Sequence, residues 1–127
     1  MIERVRFDKG TAGFCRKTLY GIEIFGQEME GYLDELIWAF LKKGMRIQSH
    51  RHPQKEIYIF TKGRGAVAIG DEKMAVREGD VVFIPSNSIH TAWNNSDMDL
   101  EFVIVRSRDI GPRMKKIAKK LSIFLNF

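Results

Sequence analysis

The sequence predicts an all-β domain, a sandwich or barrel of short strands, followed by a short amphipathic C-terminal α-helix. Two observations carry this. Up to Val105 the chain is a succession of short runs rich in β-branched and aromatic residues, punctuated by glycine, proline and polar turn signals. Beyond Arg106 the apolar spacing becomes helical, through Ile110, Met114, Ile117, Ala118, Leu121 and Leu125.

Taken in order, Ile2–Phe7 is the first candidate strand, followed by Leu19–Phe25 and Glu28–Leu33. Leu36–Leu41 is apolar at every position, which predicts a strand buried on both faces. Met45–Ser49 leads into a histidine cluster. Glu56–Thr61 and Ala66–Ile69 follow, with Gly63 and Gly65 breaking the chain between them and Gly70-Asp71 marking a hairpin turn. Met74–Arg77, Val81–Ile84, Ile89–Trp93 and Leu100–Val105 complete the set. Asp109 can cap the terminal helix, and Pro112 suits its first turn.

Chemistry is concentrated in one place. The chain has three histidines, and all of them fall in a spaced pattern with one glutamate: Gly44, His50, His52, Glu56, Gly63, then Gly79, Pro85, His90, Asn94. Side chains on a strand alternate faces, so His50 and His52 point the same way. Glu56 joins them if the chain stays extended past Pro53. Neutral imidazole nitrogens with a carboxylate oxygen suit one divalent transition metal, among iron, manganese, nickel, zinc, cobalt and copper. His90 can become the fourth ligand only if its own run folds back beside the first.

These residues closely resemble the two motifs of the cupins. The first cupin motif, G-x5-HxH-x3,4-E-x6-G, is matched by Gly44, His50, His52, Glu56 and Gly63. The second, G-x5-PxG-x2-H-x3-N, is matched by Gly79, Pro85, His90 and Asn94. Asn87 stands where that motif has glycine; asparagine tolerates a left-handed backbone better than most residues, so the turn is expected to persist. The resemblance implies a single double-stranded β-helix, or jelly-roll, barrel with the metal inside. Residues 1–35 are then N-terminal strands packing on the barrel, 36–107 its core and 108–127 the basic helix, all in one domain. It also implies a small-molecule ligand in the barrel and a homodimer. Cupins of this size include dioxygenases, sugar isomerases and lyases, so the expected function is a mononuclear metal-dependent enzyme on a small polar organic molecule. The alternative is a non-catalytic module that binds or senses a metal or metabolite.

Strand parity extends the candidate site. Arg46 and Gln48 precede the HxH pair at the same parity, and Tyr58 and Phe60 follow Glu56. Arg46 offers a fork for a carboxylate or phosphate, or else lies in solvent at the barrel mouth. Gln48 can bond a ligand or steady a histidine. Tyr58 can serve as a general acid or simply pack. Trp38, Phe83, Trp93 and Phe102 read as barrel core, and Asn94 as a turn residue.

Composition limits the alternatives. A chain of 127 residues, 44% hydrophobic and 29% charged, is of ordinary single-domain size and composition. Cys15 is the only cysteine, so no intrachain disulfide can form, and it reads as a small hydrophobe. Charges at Glu3, Arg4, Arg6, Asp8 and Lys9 interrupt any apolar signal core, and no run is long enough for a membrane span, so a cytoplasmic protein is expected. Residues 106–127 carry Arg106, Arg108, Arg113, Lys115, Lys116, Lys119 and Lys120 against Asp109, a balance of +6 when the whole chain has +5. Such a run reads first as a solvated helix face and second as a contact for an anionic membrane surface. No nucleic-acid partner is expected, since the tail has no recognisable reading motif and no interleaved stacking aromatics.

Overall fold

The computed structural model describes Gly10 and residues 13–16, 19–25 and 35–107. Nine strands are described: β1 (Gly13–Arg16), β2 (Leu19–Phe25), β3 (Glu35–Leu41), β4 (Lys55–Lys62), β5 (Arg64–Ile69), β6 (Glu72–Arg77), β7 (Val81–Ile84), β8 (His90–Trp93) and β9 (Leu100–Ser107). The expected strands at Ile2–Phe7 and Glu28–Leu33 and the helix over 108–127 lie outside the described residues. Strand β1, which carries Cys15, was not expected from the sequence. No helix among the described residues is long and apolar enough to cross a membrane.

The strands form two antiparallel sheets. The larger has the order β1-β2-β3-β9-β4-β7 and the smaller β6-β5-β8. Residues 44–50 extend the smaller sheet beside β8, through backbone bonds from Ile47 N to Ala92 O (2.8 Å) and between His50 and His90 in both directions (3.2 and 2.9 Å). The two sheets close over one apolar interior. Ile37, Ala39 and Leu41 of β3, Tyr58 and Phe60 of β4, and Leu100, Phe102 and Ile104 of β9 meet Val67, Val76, Ala92 and Ile47 from the other side.

Register explains which residues point inward. In the larger sheet Ile37 is opposite Ile104, and Ile104 opposite Tyr58; Ala39 is opposite Phe102, and Phe102 opposite Phe60. Directly opposed residues share a face, so these rows run across the sheet as layers of core. Ile57, Ile59, Val81, Phe83 and Val105 take the opposite parity and form a second apolar cluster on the outer face. Phe83 therefore lies outside the barrel, whereas Phe102 is fully buried in it. Strand β3 is buried on both faces, as its apolar run predicts.

Two turn positions hold the motif in shape. Asn87 has φ 58°, the left-handed conformation that glycine usually supplies there. Its N–H donates to the His52 carbonyl at 2.8 Å, tying the second motif to the first. Gly63 has φ 82°, and a Cβ there would overlap the carbonyl oxygen of Asp99. Gly70, at φ 56°, has open space around it. Gly70→Ala is expected to cost about 1 kcal/mol through its backbone alone, and Gly63→Ala about 3 kcal/mol because the Asp99 segment must also move. Urea midpoints of the two variants check this; equal shifts would mean that the close approach of Asp99 contributes nothing.

Candidate metal centre

The four motif side chains converge from both sheets. His90 opens β8, and His50 faces it from the strip that extends the smaller sheet. Glu56 lies near the start of β4 in the larger sheet. His52 sits in the connection between them. The chain does not stay extended past Pro53, since residues 53 and 54 form a bend. Glu56 nevertheless faces inward, because its pairing with Ile84 and Arg106 sets its parity. The Ser86 hydroxyl donates to the Pro53 carbonyl at 2.6 Å, pinning this bend to the second motif.

One potential ligand atom from each of His50, His52, Glu56 and His90 lies within 4.8 Å of the others. The imidazole centroids are 4.5 to 5.2 Å apart. Every Nδ1 faces a main-chain carbonyl: His50 that of Gln48 at 2.6 Å, His52 that of Gln54 at 2.8 Å and His90 that of Ser88 at 2.8 Å. A carbonyl can only accept, so each Nδ1 carries the proton and each neutral ring keeps its lone pair on Nε2. Oε1 of Glu56 lies 2.6 Å from His52 Nε2 and 3.0 Å from His90 Nε2. With Nδ1 protonated, each of these Nε2 atoms meets Oε1 lone pair to lone pair unless a cation, a second proton on the ring or a metal ion, lies between them. Three imidazole nitrogens and one carboxylate oxygen fit a borderline divalent ion. Glu56 and His90 are buried while His50 and His52 are partly exposed, so solvent reaches the cluster from the side of the HxH pair.

Charge is managed from behind. Burial alone would raise the Glu56 carboxyl, but N–H donation from His52 and His90 when Nε2 is protonated, together with the Arg106 guanidinium, outweighs it and holds the group well below its usual range. Arg106 reaches Oε2 of Glu56 with Nε at 3.1 Å and with Nη2 at 3.1 Å. Its Nη1 donates to Oε1 of Glu35 at 2.9 Å. By sequence Arg106 belongs with the solvated charges of the basic tail, yet it is only 3% exposed. A signal was available. Leu100, Phe102, Ile104 and Arg106 share one parity on β9, so an arginine continues an inward apolar row. Glu35 continues the row of Ile37, Ala39 and Leu41 in the same way.

The remaining candidates separate. Tyr58 is buried beneath Glu56, its ring 6.3 Å from that of His90 and 5.2 Å from that of Phe102. Burial first, and the charge of Glu56 second, push its phenol up, against a smaller opposing effect of Arg106. Phe60 lies in the core one row further in. Arg46 and Gln48 are exposed, and the residue between them, Ile47, is buried. The cause is a β-bulge. Arg46 pairs with Trp93 and His50 with His90, so four steps on one strand oppose three on the other. The extra residue reverses parity between Ile47 and His50. Arg46 therefore lines a shallow recess on the outer face with Lys73, Thr91 and Trp93, and leaves the interior set. Gln48 serves His50 through its main-chain carbonyl. Trp93 is on the outer face too, 6.0 Å from Lys73 Nζ, and not in the core. Asn94 holds a turn, donating to the carbonyls of Leu41 at 2.7 Å and Met98 at 2.6 Å.

The model of the cupin domain family matches residues 37–106. This chain belongs to the cupin family. Among solved structures, this cupin superposes on a predicted oxalate decarboxylase from Thermotoga maritima with a TM-score of 0.66 and 26% identity, over 69% of this chain and 78% of that one. A Cupin 2 conserved barrel domain protein from Salinispora arenicola, 20% identical, shares the fold with a TM-score of 0.74 over 94% of this chain and 98% of that one. In sequence, an uncharacterized protein of Methanocaldococcus jannaschii is 29% identical over 58% of this chain and 60% of its own length. Auxin-binding protein 4 of Zea mays is 29% identical over 78% of this chain. The cupin spans only 52% of that plant protein.

The site has a definite pH signature. Burial first, and the neighbouring His90 and His52 next, lower the His50 pKa from 6.5, against its bond to Gln48 and the charge of Glu56. A lowered value keeps the ring neutral at pH 7, so protons compete with a metal only below its ordinary range. Glu56, held low, stays ionised throughout that window. Metal retention is therefore expected to be complete at about pH 7.5 and to fall below about pH 6.5, following imidazole and not carboxyl protonation. Dialysis across this range with metal analysis checks it; full retention at about pH 5 would count against histidine ligation.

Proposed function

We propose that the cupin binds one divalent transition metal through His50, His52, Glu56 and His90 and works as a mononuclear metal-dependent enzyme on a small polar organic molecule held in the barrel. The observation that carries this is the set of three Nδ1–H groups bonded to carbonyls, which leaves all three Nε2 lone pairs for the cluster. When bound, such an ion supplies Lewis-acid polarisation of an oxygen substrate, or redox chemistry if it is iron, manganese or copper. The protein's own contribution is orientation and exclusion of water. The Gln48, Gln54 and Ser88 carbonyls fix the ring planes, and the Phe60 and Phe102 layer closes the inner end of the site. Tyr58, with its phenol pushed up, keeps its proton and is the candidate proton donor beside Glu56.

The Thermotoga relative, described as a predicted oxalate decarboxylase, supports a lyase acting on a small carboxylate, with oxygenase or isomerase chemistry as the neighbouring choices. A second reading has its own support: three auxin-binding proteins of maize and tobacco match 78% of this chain each, which favours a cupin that binds a small organic molecule without turning it over. A homodimer belongs to the proposal on the strength of the family.

Elemental analysis of the purified protein is expected to find about one transition metal per chain. His50→Ala and His90→Ala should lose it, while Cys15→Ser should keep it. Equal behaviour of all three variants would undo the ligand assignment. With the metal-loaded protein, turnover of oxalate or a similar small dicarboxylate supports the lyase reading; saturable binding without turnover favours the binding module.

A further inference from the structure

We propose that Arg106, itself held by Glu35, is the positioning residue of the centre: it reserves one oxygen of Glu56 and limits this carboxylate to single-oxygen ligation. The inference rests on the metal reading above and goes beyond its four ligands. The two oxygens of Glu56 are divided without sharing. Both imidazole contacts fall on Oε1 and both guanidinium contacts on Oε2. Arg106 spends its remaining contact on Glu35 at 2.9 Å.

The sheet makes this arrangement rigid. Glu35 is directly opposite Arg106 across β3 and β9, and Arg106 directly opposite Glu56 across β9 and β4. Three charged side chains thus stand in line on one inner face, each on a different strand. All three are buried, at 7%, 3% and 0% exposure. Turning the Glu56 carboxylate to offer both oxygens to an ion would strip a buried guanidinium of its partner, which is strongly unfavourable. Glu35 has a separate task. It gives the guanidinium a second carboxylate, so the positive charge of Arg106 is shared between Glu35 and Glu56. One carboxylate oxygen with three imidazoles selects borderline metals and disfavours calcium-like ions, which take many oxygens and often both from one carboxylate.

A purely structural triad would only knit β3, β9 and β4 together. The two roles separate in a charge-balanced double variant, Glu35→Gln with Arg106→Met, which keeps the net charge of the network while freeing Oε2. A second variant, Arg106→Lys, keeps both charges but replaces the planar fork with a single-point donor. Each is titrated with cobalt(II), following affinity and the visible ligand-field spectrum, beside circular dichroism. The expected result is folded variants that bind cobalt(II) tenfold or more weakly, in the range usual for loss of a group that orients a ligand, with a shifted spectrum as the second oxygen enters. Affinities within twofold of wild type and an unchanged spectrum in whichever variant folds would overturn the inference while leaving the metal site standing. If the wild-type protein itself takes up no cobalt(II), the metal reading falls and the positioning role falls with it.

Discussion

The structure depends on one buried line of charge, Glu35–Arg106–Glu56, laid across three adjacent strands at the end of an otherwise apolar inner face. Buried charges persist only when paired and hydrogen-bonded, and each member here has its partner directly opposite in the register. The pairing aims Oε1 of Glu56 at the histidines, adds to the contacts of His52 and His90 in holding the carboxyl low despite its burial, and ties β3, β9 and β4 in a single register. A slip of β9 by one residue would turn Arg106 to the outer face and leave Glu35 and Glu56 buried without it.

The facing sheet supplies the complementary half. His90 and His50 come from adjoining strips of the smaller sheet, and His52 from the bend between the sheets. Each imidazole is oriented by a carbonyl two residues from it in sequence. The backbone itself therefore sets the tautomers, and no further side chain is needed for that task. Glu56 needs a different device, because a carboxylate on a strand has no comparable local donor; its orienting group comes from the neighbouring strand. Local bonds position the three imidazoles and a long-range ion network positions the carboxylate.

Below this polar layer the interior is apolar. Tyr58, Phe60 and Phe102 stack toward the far end, with ring centroids 5.1 to 6.3 Å apart. The cluster is accordingly enclosed on the barrel side and partly exposed at His50 and His52. The Gly63 and Asn87 turns keep this geometry by bringing connections closer together than most residues allow.

Much of this was legible in the residues themselves. The all-β class and the burial of β3 follow from alternation and apolar runs, which are local properties; the candidate ligand cluster and the left-handed turn at Asn87 follow from spacing together with the resemblance to the two cupin motifs. What failed to follow was non-local. The bulge between Ile47 and His50 put Arg46 on the outer face and left Gln48 exposed, because parity counted along one strand cannot register a residue inserted against its partner. Arg106 looked like the first charge of a basic tail, because only pairing with β3 and β4 reveals two carboxylates waiting opposite it. The sequence by itself determined which atoms can bind a metal, since donor chemistry belongs to the residue type. The tertiary structure decided which oxygen of Glu56 is offered and which arginine stands behind it, since that depends on the register of strands far apart in the chain.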